Sequence, residues 1–392
     1  MTGRRPRVLL VTSLPFFQWR GSPIRLGFDI QALVACGFEV DVLTVPIGEG
    51  REIEGATIHR VGNPMRFERY PIGPSLPKLV FDLQLLFAAI GMARRNRYDV
   101  VHGIEDTGMV AWAAARCCGA RLVFEKHSDP ASYKKSWLRN LVMAGYRAVE
   151  HWVMRRSDAI IATGEGLAEQ ARAAAPGRPV HHIFDIPSSL VEPDAKRAAA
   201  LGARMRQKPD EVLVMYVGSF AVYQGLDLLF DSMPYVVQQH PQARFVIIGG
   251  SEPEIEARRT WLRNHGIEDR VTFLGHFPPD ELPHTMAAAD ILLSPRRAGI
   301  NTPLKLLDYL KAARPIVATN NESNRLILDD SFAMLVEATP PAFAAGINWL
   351  IADEDTRLRF GAAGRRLIDE RYNFDEYRRR LAAVYADLVK TE

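Results

Sequence analysis

The sequence predicts a protein of two doubly wound α/β domains in tandem, with a parallel sheet in each. Three observations carry this reading. The chain has 392 residues, 47% of them apolar and 24% charged, which is too long for one ordinary core and too balanced for disorder. Short apolar runs recur along it, separated by segments of helical period. A polar, proline-containing break falls near the middle, after which the same rhythm starts afresh.

The first strand is RVLLVTS at 7–13. The basic residues before it imitate a signal peptide, but Thr12, Ser13 and Pro15 interrupt the run and no small-residue cleavage pattern follows. EVDVLTV (39–45), DVVHG (99–103), RLVFE (121–125) and AIIAT (159–163) continue the series. The most apolar later stretch, 79–93, contains Asp82 and Gln84 and falls short of the roughly 20 residues that cross a bilayer, so no transmembrane span is expected. Residues 191–210 are read as a linker between domains at 1–190 and 211–372. In the second domain the strands are VLVMYVG (212–218), RFVIIGG (244–250), RVTFLG (270–275), DILLSP (290–295) and PIVAT (315–319). The closing segment 373–392 places Phe374, Tyr377, Leu381, Val384, Tyr385 and Leu388 on one helical stripe, which needs a partner surface, taken to be on the first domain.

Composition narrows the function. A net charge of +3 over 49 basic and 46 acidic residues is far from a nucleic-acid binder's basic stripe. Cys36, Cys117 and Cys118 provide neither a disulfide framework nor zinc spacing, which favours a reducing, cytoplasmic setting. Asp353 and Asp355 are read as the acidic first turn of a helix rather than a metal pair.

Ligands of open parallel sheets bind beyond the carboxyl ends of strands, so chemistry is sought there. The richest segment is SPRRAGINTPLKLLDYLKAARPIVAT, 294–319. Asn301 or Thr302 stands as N-cap, Pro303 as the first helical residue, and Leu304 follows, so a helix N-terminus is offered to an anion. Arg296, Arg297 and Lys305 add full charges suited to a diphosphate. Asp308, three residues past Lys305, lies on the same helix face and suits the two hydroxyls of a ribose; a plain surface Lys–Asp pair is the alternative.

This segment resembles the donor-binding signature of family 4 glycosyltransferases, and its NTPLK sequence resembles one subgroup of that family. The resemblance implies a GT-B fold, two Rossmann-like domains with parallel sheets facing across a cleft, and a retaining enzyme that uses a nucleotide-sugar donor. In that family two glutamates eight positions apart serve the transferred sugar and the ribose. Asp308 matches the second and Ile300 the first, so Asn301 is taken as its neighbouring substitute. YVGSFAVYQGLDLLFDSM, 216–233, resembles the family's glycine loop, where Gly218 lets backbone approach the donor. Ser219 and Gln224 replace the family's phosphate-binding arginine and lysine, and Arg296 and Lys305 are taken to supply the charge instead. PFFQWRGSPIRLGFDIQALVACGFEVDVLT resembles the acceptor loop, which assigns Gly21 and Ser22 to the acceptor side. His127, in RLVFEKHSDP, matches the histidine that reaches the donor sugar. His102 and Glu105 follow a strand and are read as facing the acceptor or as a solvated loop. The family needs no cofactor and no essential metal.

The segment 131–158 carries Lys134, Lys135, Arg139, Arg147, Arg155 and Arg156 beside Trp137 and Trp152. It is read either as an amphipathic helix packed on the sheet or as a peripheral membrane contact, which would imply a lipid-linked acceptor. Two other functions stay open: a nucleotide-sugar 2-epimerase, revealed by isomerised sugar without acceptor, and a non-catalytic nucleotide-sugar-binding relative, revealed by absent turnover. A dinucleotide dehydrogenase is disfavoured because the first strand leads into SLPFFQWRGS rather than a G-x-G-x-x-G turn.

Overall fold

The structure, a computed structural model, describes residues 4–14, 21–48, 52–68, 75–129, 137–298 and 303–389. It forms two compact units, Met1–Asp185 together with Phe374–Glu392, and Ile186–Asn373. The first runs β1 (Arg7–Val11), α1 (Gly21–Ala35), β2 (Glu39–Thr44), β3 (Ala56–Arg60), α2 (Leu76–Arg95), β4 (Val100–Ile104), α3 (Gly108–Cys118), β5 (Arg121–Lys126), α4 (Trp137–Met154), β6 (Ala159–Ala162), α5 (Glu165–Ala174) and β7 (Val180–His182). The second runs α6 (Ala195–Met205), β8 (Val212–Val217), α7 (Leu226–Gln239), β9 (Ala243–Ile248), α8 (Glu252–Asn264), β10 (Val271–Gly275), α9 (Leu282–Ala287), β11 (Ile291–Ser294), α10 (Leu304–Lys311), β12 (Ile316–Thr319), α11 (Glu322–Arg325), β13 (Ala333–Val336), α12 (Pro340–Ala352) and α13 (Glu354–Arg371). The chain then returns to the first unit as α14 (Phe374–Val389).

In the first unit the strand order is β3-β2-β1-β4-β5-β6-β7, with every pair parallel. In the second it is β10-β9-β8-β11-β12-β13, again parallel throughout. Helices cover both faces of such sheets, so central strands are apolar on both sides. Val8 to Val11 and Leu213 to Tyr216 accordingly have no exposed surface. Each order reverses once, between β1 and β4 and between β8 and β11. Connections leave in opposite directions at these points, and a crevice opens beyond the carboxyl ends of the two strands.

Several sequence expectations need correction. The stretch 191–210 is more than a linker: Asp194 caps α6 by accepting from the Arg197 amide at 2.7 Å, and α6 belongs to the second unit. Proline and charge mark this helix start as readily as a flexible joint. The apolar stretch at 79–93 is part of a 20-residue helix, α2, long and apolar enough to cross a membrane by length and composition alone. Ser75 caps it, which carries the helix back past the apolar run. Strands β3, β7 and β13 were not among the expected strands; they are three to five residues long and mostly only partly buried at the sheet edges. At the other end, Asp353 accepts from the Thr356 amide at 2.9 Å as the N-cap of α13.

The stripe of α14 packs on α1 within the first unit. Tyr377, Leu381, Val384 and Tyr385 are buried, the Phe28 ring lies 6.4 Å from both Phe374 and Tyr377, and Phe38 meets Tyr385 edge-on at 5.4 Å. The first unit is therefore built from both ends of the chain.

Candidate functional site

At the reversal point of the second unit, three loops converge. β8 leads into Gly218, with φ of 153°, where a Cβ would lie 2.8 Å from Tyr216 Oη and 3.6 Å from Lys305 Nζ. Further on, Gly225 has φ of 72° and its missing Cβ would sit 2.0 Å from the Pro295 carbonyl oxygen, so glycine alone lets the loops after β8 and β11 close. Lys305, in the first turn of α10, donates to Gln224 Oε1 at 2.7 Å, and its ammonium lies 4.6 Å over the Tyr216 ring. Tyr216 in turn donates to the Ser219 carbonyl at 2.8 Å. Burial, and then the neighbouring Arg296, pull the Lys305 amine down to about 7. Arg296 is buried, donates to the Ala298 carbonyl at 2.9 Å and stacks 5.2 Å from the Tyr223 ring.

Tyr309 fixes α10 against the sheet. Its hydroxyl accepts from the Val217 amide at 2.9 Å and lies 3.3 Å from the carbonyls of Val217 and Leu293. One turn from Lys305, Asp308 takes the Ser188 amide at 2.6 Å on Oδ1 and the Ser188 hydroxyl at 2.8 Å on Oδ2. Burial outweighs these two bonds and pushes the carboxyl up to about 6. The helix begins at Leu304, with Pro303 as its N-cap at φ −75°, ψ 100° and no side-chain cap bond. The expected N-terminus is thus present, shifted by one residue because proline's fixed φ suits the cap as well as the first helical position.

The first unit gathers charge instead. Beyond β1, Ser13 Oγ donates to Asp106 Oδ1, while Lys78 bridges Asp106 and Asp82. Glu105, in the turn after β4, has φ of 50° and accepts from Ser128 Oγ at 2.6 Å. His127 follows β5, almost buried, with Nε2 3.1 Å from Glu125 Oε1. Glu125 Oε1 also receives Arg25 Nε at 2.6 Å, and Arg25 Nη1 reaches Asp185 at 3.0 Å. Burial opposes the charged form of His127, but Glu125 and Glu105 outweigh it and raise its pKa.

Against this geometry, two family models match the chain: "Glycosyl transferase 4-like domain" over residues 28–185 and "Glycosyl transferases group 1" over 211–353. The D-inositol 3-phosphate glycosyltransferase of Xylanimonas cellulosilytica is 26% identical over 92% of this chain and 90% of its own length. The match to the putative glycosyltransferase YtcC of Bacillus subtilis, also 26% identical, spans only 46% of each chain. This chain is a GT4-type glycosyltransferase. Its fold is that of sucrose-phosphate synthase from Thermosynechococcus elongatus, with a TM-score of 0.79 at 20% identity over 99% of this chain and 100% of that one. Anabaena HepE, solved with UDP and glucose, shares the fold at a TM-score of 0.74 and 16% identity over 98% of this chain and 100% of that one. The architecture is therefore GT-B.

Within this glycosyltransferase the structure brings Gly218, Ser219, Gln224, Arg296, Pro303, Leu304 and Lys305 to one reversal point. Asp308 joins them on α10, but its carboxylate is engaged by Ser188 rather than open. Ile300, Asn301 and Thr302 lie outside the described residues. Gly21 and Ser22 open α1 and are partly exposed. His102 does not face an acceptor: it is fully buried, with Nδ1 2.8 Å from the Tyr385 hydroxyl of α14. Strand alternation turns it toward the face that α14 covers. Sequence reasoning missed Tyr216, Tyr309, Ser188, Arg25 and Glu125. Only the tyrosines carried a signal, since a hydroxyl inside an apolar run must find a partner.

Proposed function

We propose that the enzyme transfers a hexose from a nucleoside-diphosphate sugar to an acceptor hydroxyl with retention of configuration. The observation carrying this reading is the Lys305 amine, held by Gln224 over the Tyr216 ring beside Gly218 at the β8–β11 reversal. A lysine poised near 7 gains its full charge when a diphosphate arrives. Lys305, Arg296 and the first amides of α10 hold the diphosphate, and Asp308 accepts the ribose hydroxyls. His127 serves the transferred sugar by position and charge. The bond from the sugar's anomeric carbon to the diphosphate breaks as the acceptor oxygen bonds to the same face. The acceptor proton passes to the departing phosphate oxygen, so no protein nucleophile is needed and stabilising the leaving diphosphate is the main protein contribution. This reading requires no protein-held metal, and turnover should survive EDTA.

The acceptor side is the polar group around Ser13, Asp106 and Lys78. Leu76, Leu79, Leu83 and Phe87 form an exposed apolar stripe along α2, which supports a lipid-linked acceptor presented at a membrane surface.

Thermal shift against UDP, GDP, ADP, TDP and their hexose conjugates tests the donor site. One nucleotide at 100 times its Kd should stabilise the enzyme by about 2.7 kcal/mol. At the same ligand concentration the stabilisation should fall to about 0.4–1.4 kcal/mol in Lys305→Ala, whose affinity falls roughly 10- to 100-fold through loss of a charge-assisted bond. An unchanged shift in that variant would remove Lys305 from the reading.

A further inference from the structure

The buried charges behind His127 form a continuous chain of close contacts that begins on the C-terminal helix. Tyr385 Oη lies 2.8 Å from His102 Nδ1, His102 Nε2 lies 3.1 Å from Glu125 Oε2, and Glu125 Oε1 lies 3.1 Å from His127 Nε2. Arg25 Nε holds Glu125 Oε1 at 2.6 Å from the other side. Tyr385, His102 and Glu125 have no exposed surface. None of them can reach a substrate, and buried ionisable groups are costly unless they are paired with one another.

We propose that Glu125 is the positioning residue of His127, and that Arg25 at Oε1 and His102, itself held by Tyr385, at Oε2 fix Glu125 so that α14 sets the tautomer of His127. The phenol of Tyr385 keeps its proton, because burial and the nearby Asp29 and Glu125 charges disfavour its ionised form. It therefore donates to His102 Nδ1, which leaves the other ring nitrogen, Nε2, to carry a proton toward Glu125 Oε2. Glu125 Oε1 in turn draws the His127 proton to Nε2. Neither His127 ring nitrogen completes a well-angled hydrogen bond among the described residues, but Nε2 faces Glu125 Oε1 at 3.1 Å, so Nδ1 is the atom left for a ligand. Arg25 and Asp29 from α1, Glu125 from β5 and Glu105 from the turn after β4 are the charged groups that act on His127. Asp29 is anchored by the Tyr377 hydroxyl, so α14 grips this cluster at two points.

The inference rests on His127 serving the donor sugar, and the experiment separates the two claims. In the full-length enzyme labelled with ¹⁵N-histidine and free of nucleotide, two-dimensional NMR should show neutral His127 protonated on Nε2, titrating above ordinary histidine. Glu125→Gln should lower that titration and mix the tautomers, and Tyr385→Phe should mix the tautomers of His102 and His127. In Glu125→Gln, kcat should fall roughly 10- to 100-fold, the effect of losing one charge-assisted bond, with a smaller change in donor KM. Glu125→Asp should restore part of the rate and the tautomer. A wild-type His127 protonated on Nδ1, or a tautomer and titration indifferent to Glu125→Gln, would overturn the proposal without needing any variant to be active. Added nucleotide sugar shifts the His127 signals only if His127 serves the donor, so a silent response refutes that role and leaves the tautomer result standing.

Discussion

The two units share a fold and a strand order through their first six strands, yet they equip the same topological position in opposite ways. At the reversal point of the second unit, glycines bring backbone close and one desolvated lysine stands beside neutral partners, Gln224 and Tyr216. The first unit buries a set of mutually compensating charges: Arg25, Asp29, Glu125 and His127, with Asp185 at the edge. On the proposed reading, a diphosphate arriving at the lysine supplies the counter-charge it lacks, while the interlinked groups of the first unit orient a neutral sugar. The same topological position then serves as an anion site or a positioning site according to whether its ionisable groups are unmet or paired.

The largest break in this contrast should come from Arg25→Met. It leaves Glu125 and Asp185 without the guanidinium they share, and removing one partner of a buried pair costs about 3–5 kcal/mol. Hydrogen exchange should show the amides of β4 and β5 losing protection while those of β8 and β9 keep theirs. Equal loss in both sheets would mean that the charge cluster does not belong to the first unit alone. Gly225→Ala is the converse. Forcing a side chain into φ of 72° costs about 1–2 kcal/mol before the 2.0 Å approach to Pro295 is counted. Destabilisation should appear in β8 and β11 together with weakened nucleotide binding. Normal binding in a folded Gly225→Ala protein would show that the loop closure is not needed for the donor.

A smaller effect, and a sharper one, is the pH dependence of donor affinity. In the free enzyme Lys305 titrates near 7, and a bound diphosphate favours its charged form. Below pH 7 the lysine is already protonated and its titration adds no pH dependence. Above pH 7 binding must take up a proton, so Kd should rise with pH toward a limit of about tenfold per unit. Isothermal titration in buffers of different ionisation enthalpy checks the proton uptake, which Lys305→Arg should abolish. A flat profile from pH 7 to 8.5 would mean that Lys305 stays charged and that its burial does not tune the site.

Much of this was legible in the chain. Apolar runs located the central strands because a parallel sheet buries both faces, and the segment 294–319 marked the start of α10, one residue early, because proline and cations fall in order there. The edge strands β3 and β7 were silent, since partly buried residues need no apolar run. His102 was misread because a strand residue has two faces, and only the return of α14 from the far end of the chain decides which one is covered. Ser188 and Arg25 were invisible for the same reason. Their partners lie 120 and 100 residues away, and no local period encodes such a pairing.

Ser188 offers the finest test, because it occupies the carboxylate that the donor reading assigns to ribose. Ser188→Ala removes one of the two bonds to Asp308 and should cost about 1 kcal/mol of stability, with the Asp308 carboxyl moving further above 6. If Ser188 merely holds Asp308 until ribose arrives, nucleotide affinity in this variant should stay the same or tighten, because one oxygen no longer has to exchange partners. Asp308→Ala should instead weaken binding about tenfold, the loss of one hydrogen bond to a charged group. Equal weakening by both substitutions, measured as Kd at pH 7.5, would mean that Ser188 and Asp308 act as one structural pair and that the ribose is held elsewhere in the second unit.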